Sequence, residues 1–260
     1  MADYNRLLEG PINLDHLTPK EMVEREVWAM NVLSANNVTP SDPELLREML
    51  ESGWGNLMRD IRVANTVCTL IFKTITGERC NINLPALATF LVPFGGQLNP
   101  PNFPALIVPL VGLIRAQLLI FSHGAVVVTG FVERIELLYV LEFVRRALHR
   151  CGYRNLTYDT TDIQISNIVA TASLPERIDR EKFFNLFPAA ASNPDFPGLF
   201  VQFTRREGTA NRKWTVLVFS GCTCNFMGCK TWNELTAMAH LIAPMLYCAR
   251  RLEPEPKEED

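Results

Sequence analysis

At 260 residues the chain can bury one or two cores, and 48% apolar with 20% charged residues excludes a disordered polyelectrolyte. The net charge of −3 is unevenly spread: residues 1–60 hold 5 Lys/Arg against 11 Asp/Glu, residues 61–252 hold 19 against 12, and residues 253–260 hold 1 against 5. A basic middle between acidic ends leaves room for an anionic partner, while the longest apolar run, "FPALIVPLVGLI", is broken by two prolines and stops at Arg115, too short to span a bilayer.

In chain order, "TPKEMVEREVWAMNVL" and "SDPELLREMLESG" are predicted helices of an acidic N-terminal extension, residues 1–58. The first has a capping Thr18, a proline in its first turn and early acidic residues; the second starts at Ser41 or Asp42 and ends at Gly53. "MADYNRLLEGPINLDHL" has no basic start followed by an apolar stretch, so no export signal is expected there. "DIRVANTVCTLIF" alternates and is rich in β-branched residues, which predicts a strand. "NLPALATFLV" has helical spacing, and "LLIFSHGAVVVTG" reads as two strands around a turn at Ser122–Gly124. "ERIELLYVLEFVRRALHRCGY" is a long amphipathic helix with Leu137, Leu138, Leu141, Val144 and Leu148 on one side and Gly152 as its stop.

The pattern then recurs. "DIRVANTVCT" from Asp60 matches "DIQISNIVAT" from Asp162, "PNFPALIV" from Pro101 matches "PDFPGLFV" from Pro194, and "LLIFSHG" from Leu118 matches "VLVFSG" from Val216. "WNELTAMAHLIAPMLYC" runs parallel to the first long helix, and "DREKFFNLF" is a helix capped by Asp179. Ordered matches at offsets of 102, 93 and 98 residues define two copies of one unit, 59–157 and 158–252, followed by an acidic tail, 253–260, expected to be disordered. Each unit is strand, helix, antiparallel strands, long helix: an α+β arrangement with helices on one sheet face. Alternation makes the other face apolar as well, with Leu119, Phe121 and Val127 on it, so that face is either covered by another segment or left open for a partner.

"GCTCNFMGC", Gly221 to Cys229, holds three of the seven cysteines. It follows "VLVF" as "HGAVVVTGF" follows "LLIF", which makes it the returning strand of a hairpin. Cys222 falls at the turn, Cys224 and Phe226 on the helix-packed face, and Asn225 and Met227 on the opposite one. A zinc site needs about four convergent ligands, usually in pairs spaced by two to four residues; a one-residue gap with no answering pair reads instead as small buried hydrophobes. An odd cysteine count without an export signal fits a reducing, intracellular setting. No G-x-S-x-G, P-loop or H-E-x-x-H occurs, and His16, His123, His149 and His240 form no motif, so neither an enzyme nor a metal or cofactor site is expected.

Taken together, these segments resemble the TATA-box-binding protein (TBP) family. "LLIFSHGAVVVTG" is similar to the family's "LIFSSGKMVxTG", "IQISNIVAT" to "xIQNIVxT", "DFPGL" to "LFPGL", and "NPPNFPALI" to "NPKRFAAVI". The resemblance covers about 61–250. It implies a saddle of two imperfect repeats: one curved antiparallel sheet with helices on the convex face, the concave face set into the DNA minor groove. In that family phenylalanine wedges bend the duplex, and TBP is itself the worked case of that principle. The matching wedges are Phe103, Phe121, Phe196 and Phe219. The resemblance further implies that Asn65 and Asn167 face minor-groove acceptors. Val67, Val169, Leu119, Leu217 and Val127 would exclude the guanine amino group, Thr129 would exchange a hydrogen bond, and Arg115 would meet phosphate.

The sequence also departs from the family pattern. Ala125 stands where the family has a lysine, Asn225 and Met227 replace a floor valine and threonine, and "TRREGTANRKW" lengthens one loop, whose Arg205, Arg206, Arg212 and Lys213 restore charge or simply meet solvent. The implied partners are A·T-rich double-stranded promoter DNA, bound as a monomer, together with TFIIB-like and TFIIA-like factors and RNA polymerase. Arg145, Arg146 and Arg150 match a basic, partner-binding helix. Divergent members occur in archaea and large DNA viruses, so the setting is the nucleus or a viral replication site. The other reading is a TBP-fold interaction module with weak or lost DNA binding. The acidic extension either folds over the basic face and competes with DNA, or serves as a helical adaptor or a packing layer on the helix side.

Overall fold

The computed structural model describes residues 51–52, 54, 60–98, 102–112, 114–131, 133–186, 191–192, 197–207, 210–219 and 221–251. Both helices expected in the N-terminal extension, apart from Glu51, Ser52 and Trp54, and the tail from Leu252 lie outside the described residues. The chain divides into two compact units: Val63–Ile168, and Val169 onward with the described residues ahead of Val63.

In the first unit the strands are β1 (Arg62–Ile71), β2 (Lys73–Thr74), β3 (Gln97–Leu98), β4 (Ala105–Leu110), β5 (Ala116–Phe121), β6 (Ala125–Phe131) and β7 (Leu156–Thr157). The order β3-β4-β5-β6-β1 makes an antiparallel sheet, and β2 pairs separately with β7. Helix α1 (Leu84–Leu91) starts at Asn83, whose side chain accepts from the Ala86 N–H at 3.1 Å, with Pro85 in the first turn where its missing N–H costs nothing. Helix α2 (Arg134–Arg150) starts where the Glu136 carboxylate accepts the Glu133 N–H at 2.9 Å. It stops at Gly152, φ +96°, with the Tyr153 N–H returning to the Leu148 carbonyl at 3.0 Å. Alternate strand residues Cys68, Leu70, Leu118, Ile120, Val126 and Val128 are fully buried, as are Leu137, Val140, Leu141, Val144 and Leu148 of α2, which packs on β6. Leu138 is only half-buried.

The second unit repeats the plan with β8 (Gln164–Ser173, shared with the first unit), β9 (Ala191–Ser192), β10 (Gly198–Glu207), β11 (Ala210–Phe219) and β12 (Thr223–Cys229), in the order β8-β12-β11-β10-β9. Helix α3 (Arg180–Leu186) is capped by Asp179, whose carboxylate accepts the Lys182 N–H at 3.0 Å. Helix α4 (Trp232–Cys248) is capped by Thr231, which accepts from the Glu234 N–H at 3.1 Å, while the Glu234 carboxylate accepts the Lys230 N–H at 2.6 Å. Leu235, Met238, Ala239 and Ile242 of α4 are fully buried, together with Val216, Val218, Cys224 and Phe226 of the sheet. The segment "TRREGTANRKW" is not mainly loop: β10 and β11 stay paired out to Glu207 opposite Ala210, because Thr204, Trp214 and Thr215 favour extended backbone.

Trp54 anchors its part of the extension. It is buried, its Nε1 donates to Glu176 at 3.0 Å, and its ring meets the edge of Tyr247 of α4 at 6.1 Å. Arg250 stacks on the same Tyr247, 3.6 Å from the ring centroid. At this point the extension packs on the helix side of the second unit.

Candidate nucleic-acid interface

The sheet face away from the helices is the one the sequence left open, and most of its apolar side chains are half-buried. In the first unit Val67, Leu119, Phe121, Val127 and Thr129 alternate with the buried set, and Asn65 sits near the start of the same strand face. Strand register ranks them in rows. Ile107, Leu119, Val127 and Thr69 stand side by side across β4, β5, β6 and β1; Pro109, Gln117, Thr129 and Val67 form the next row. Ile107 belongs to this floor although no motif in the sequence marked it; its pairing with Leu119 is the signal that finds it.

Phe103 and Phe121 meet edge-on, with ring centroids 6.1 Å apart and planes at 62°. Phe103 keeps 36% of its surface exposed, and Ala105, directly opposite Phe121, is fully buried. A large ring over a small neighbour is a way to hold an aromatic at a sheet rim without burying it.

Asn65 is fixed by a bulge. The register slips between Thr66, opposite Phe131, and Val67, opposite Thr129, which leaves Gly130 as the extra residue of β6 at φ +98°. A Cβ on Gly130 would stand 2.7 Å from the Arg115 carbonyl oxygen, so only glycine fits. The Gly130 N–H, freed from the ladder, donates to Asn65 Oδ1 at 2.7 Å, and the Thr129 hydroxyl lies 3.4 Å from the same oxygen. With Oδ1 facing a donor, the amide orientation is set and Nδ2 is left to donate outward.

In the second unit Asn167, Val169, Phe219, Asn225 and Met227 are half-buried and Leu217 is 9% exposed. Phe200, Leu217 and Asn225 form one row, and Gln202, Thr215 and Met227 the next. Phe200, like Ile107, is a floor residue that motif reading missed. Gly198 lies opposite Phe219 as Ala105 lies opposite Phe121. Phe196 lies outside the described residues.

Gly228, at φ +92°, is the counterpart of Gly130, and a Cβ there would stand 2.5 Å from the Lys213 carbonyl oxygen. Arg115 and Lys213, both exposed, therefore occupy equivalent places, Arg115 just ahead of β5 and Lys213 within β11 opposite Thr204. Of the four cations noted in the lengthened segment, Lys213 is the one with a counterpart in the first repeat.

The basic helix is less free than its sequence implies. Glu142 binds Arg145 through two contacts of 2.7 Å and Arg146 through one of 2.8 Å, and these bonds hold its carboxyl down to about 2. Arg150 lies over the Phe90 ring, 5.8 Å from its centroid.

The cysteines fit the quieter reading. None of the seven forms a disulfide, and burial pushes the Cys68 and Cys224 thiols up to about 12, far from the thiolate that a metal or a nucleophile requires. Among the described residues no three His, Cys, Asp or Glu side chains converge as metal ligands, and no helix is long and apolar enough to cross a membrane.

Two copies of one α+β unit, each with one helix-covered sheet face and a second face carrying mainly aliphatic and aromatic side chains, define the fold class. The family described as "Transcription factor TFIID (or TATA-binding protein, TBP)" matches residues 60–151 and 162–249, and the chain belongs to it. Among similar proteins, the TATA-box-binding protein of Aeropyrum pernix is 29% identical over 177 residues, covering 68% of this chain and 79% of that one. That of Sulfurisphaera tokodaii is 30% identical over 164 residues, covering 63% and 78%. The solved structure of Methanococcus jannaschii TBP shares the fold, with a TM-score of 0.57 at 23% identity over 72% of this chain and 98% of that one.

Proposed function

We propose that this chain is a transcription initiation factor that binds and bends A·T-rich promoter DNA through the minor groove, using the open sheet face of both repeats. The observation that carries the reading is the pairing of Phe103 and Phe121 at the rim of a half-buried aliphatic floor, with Phe219 at the matching place in the second repeat. An apolar ring inserted at a base step unstacks it, and the bent duplex then meets more of the floor. Asn65, its Oδ1 occupied by Gly130, offers Nδ2 to the A N3 and T O2 acceptors. The aliphatic side chains of Leu119, Val127, Val67, Leu217 and Val169 themselves offer no acceptor to a guanine amino group, and Arg115 and Lys213 supply phosphate contacts.

On this reading the protein is not an enzyme, binds DNA as a monomer, needs no cofactor, and presents its helices to TFIIB-like and TFIIA-like factors and RNA polymerase. It acts where transcription starts, in the nucleus or, for a viral member, at a viral replication site. The second reading, an interaction module with weak DNA binding, draws on one feature: the sparse charge of the core, with Ala125 buried at the turn and Arg145 and Arg146 sharing the Glu142 carboxylate.

Titrating A·T-rich and G·C-rich duplexes with the intact chain and with Phe121→Ala combined with Phe219→Ala separates them. The minor-groove reading expects A·T preference and about a hundredfold loss in the double variant, the effect of two aromatic contacts worth ~1–3 kcal/mol each. No preference and no loss would favour the interaction module.

A further inference from the structure

The two floors differ at a position that decides which base pair they can face. In the first repeat Val127 stands in register between Leu119 and Thr69; in the second, Asn225 stands beside Leu217 at the equivalent place. Both are half-buried. Asn65 has its Oδ1 committed to Gly130, but the Asn225 side-chain amide has no hydrogen-bond partner among the described residues. It keeps an acceptor oxygen and two N–H donors available.

Minor-groove chemistry makes this difference matter. An A·T pair presents only acceptors, whereas a G·C pair adds the guanine N2 amino donor in the middle of the groove. Pressed against Val127 and Leu119, that amino group loses its water and gains nothing, a cost of the kind an unsatisfied buried donor carries. Facing Asn225, it can donate to Oδ1, while Nδ2 donates to the adjacent N3 or O2 acceptor. A·T satisfies only the donor half of the same amide. Met227, in the next row, replaces Thr129 with an unbranched chain that can shift around the added amino group.

We infer that Asn225 is a specificity-determining residue: the second repeat accepts a G·C pair beneath it, while the first repeat requires A·T throughout. The preferred duplex is therefore directional, with one pure A·T half and one half that tolerates or favours guanine. The inference rests on the minor-groove reading given under Proposed function.

The test uses the full chain and a short A·T duplex labelled for fluorescence anisotropy. Single G·C pairs are placed in one half or the other, with inosine·cytosine at the same positions to remove only the N2 amino group. In one half a G·C pair weakens binding about tenfold, the usual scale of one wrong base pair, and inosine restores it. In the other half the loss is about threefold or less, or becomes a gain, and inosine gives no improvement. Asn225→Val makes both halves equally intolerant, and Val127→Asn relieves the sensitive half. Equal penalties in both halves for the intact chain, or an asymmetry unchanged by Asn225→Val, would overturn the inference while leaving minor-groove binding in place. No binding to the all-A·T duplex would overturn the minor-groove reading and the inference together.

Discussion

The two repeats share a skeleton and differ in what they put on it. Gly130 and Gly228 make the same close approach to the backbone of a neighbouring strand, and both long helices begin with a glutamate three residues after the cap. The outward residues then diverge. Helix α2 carries Glu142, Arg145 and Arg146 on its outer side; the equivalent places of α4 are His240, Ala243 and Pro244, and Ala243 is buried. Trp54 lies against Tyr247 on this second helix. Positions fixed by backbone geometry are alike in the two repeats, while the residues they carry outward differ. The first repeat keeps a charged helix and an aliphatic floor. The second has a helix without Lys or Arg, met by Trp54, and Asn225 where the first floor has Val127.

The largest effect should come from breaking what the repeats share. Gly228→Ala forces a Cβ to 2.5 Å from the Lys213 carbonyl oxygen at a positive φ, and Gly130→Ala forces one to 2.7 Å from that of Arg115. Left-handed strain plus backbone overpacking should cost roughly 2–5 kcal/mol in either case. Urea unfolding of the two variants checks this, and a large loss at one glycine with none at the other would show that the two close approaches are not equivalent. A smaller, one-sided effect is expected at Trp54. Removing a ring that is buried and bonded to Glu176 should cost about 3 kcal/mol, near the low end for a buried tryptophan. Thermal unfolding of Trp54→Ala measures it. If the extension covers the helix side, deleting residues 1–58 leaves duplex affinity unchanged or lower; a rise would revive competition with DNA.

Much of this was legible because the repeat was legible. Once "LLIFSHG" and "VLVFSG" were aligned, period-two alternation placed Leu119, Phe121, Val127, Asn225 and Met227 on one face without further help. Ile107 and Phe200 escaped because their faces depend on register with the next strand, which no local pattern records. Lys213 is hidden in a stretch that reads as loop, although it lies in a strand, opposite Thr204. The Asn65 clamp was unreadable for a different reason: it needs a bulge, and a glycine in "VVVTGF" does not announce whether it ends a strand or kinks one. Trp54 had no sequence signal either, since a lone tryptophan among acidic residues is placed only by what it packs against.

The smallest effect sharpens the comparison at the hairpin turns. Gly124, φ +87°, and Cys222, φ +59°, occupy equivalent corners, and each carbonyl accepts the N–H of a residue at the end of the repeat's first strand, Phe72 at 2.9 Å and Leu174 at 2.8 Å. A Cβ on Gly124 would meet the Phe72 carbonyl oxygen at 2.7 Å and Cys80 Sγ at 2.8 Å, so the first turn admits only glycine. The second turn holds a cysteine in the left-handed region, which costs an L-residue roughly 1–2 kcal/mol relative to glycine, part of it returned by the glycine's greater freedom when unfolded. Cys222→Gly should therefore stabilise the protein by up to about 1 kcal/mol, and Gly124→Cys should destabilise it by more than that. Paired denaturation curves read both. If Cys222→Gly lowers stability, the Cys222 side chain makes a favourable contact that outweighs its backbone strain, and the two turns differ in packing as well as in sequence.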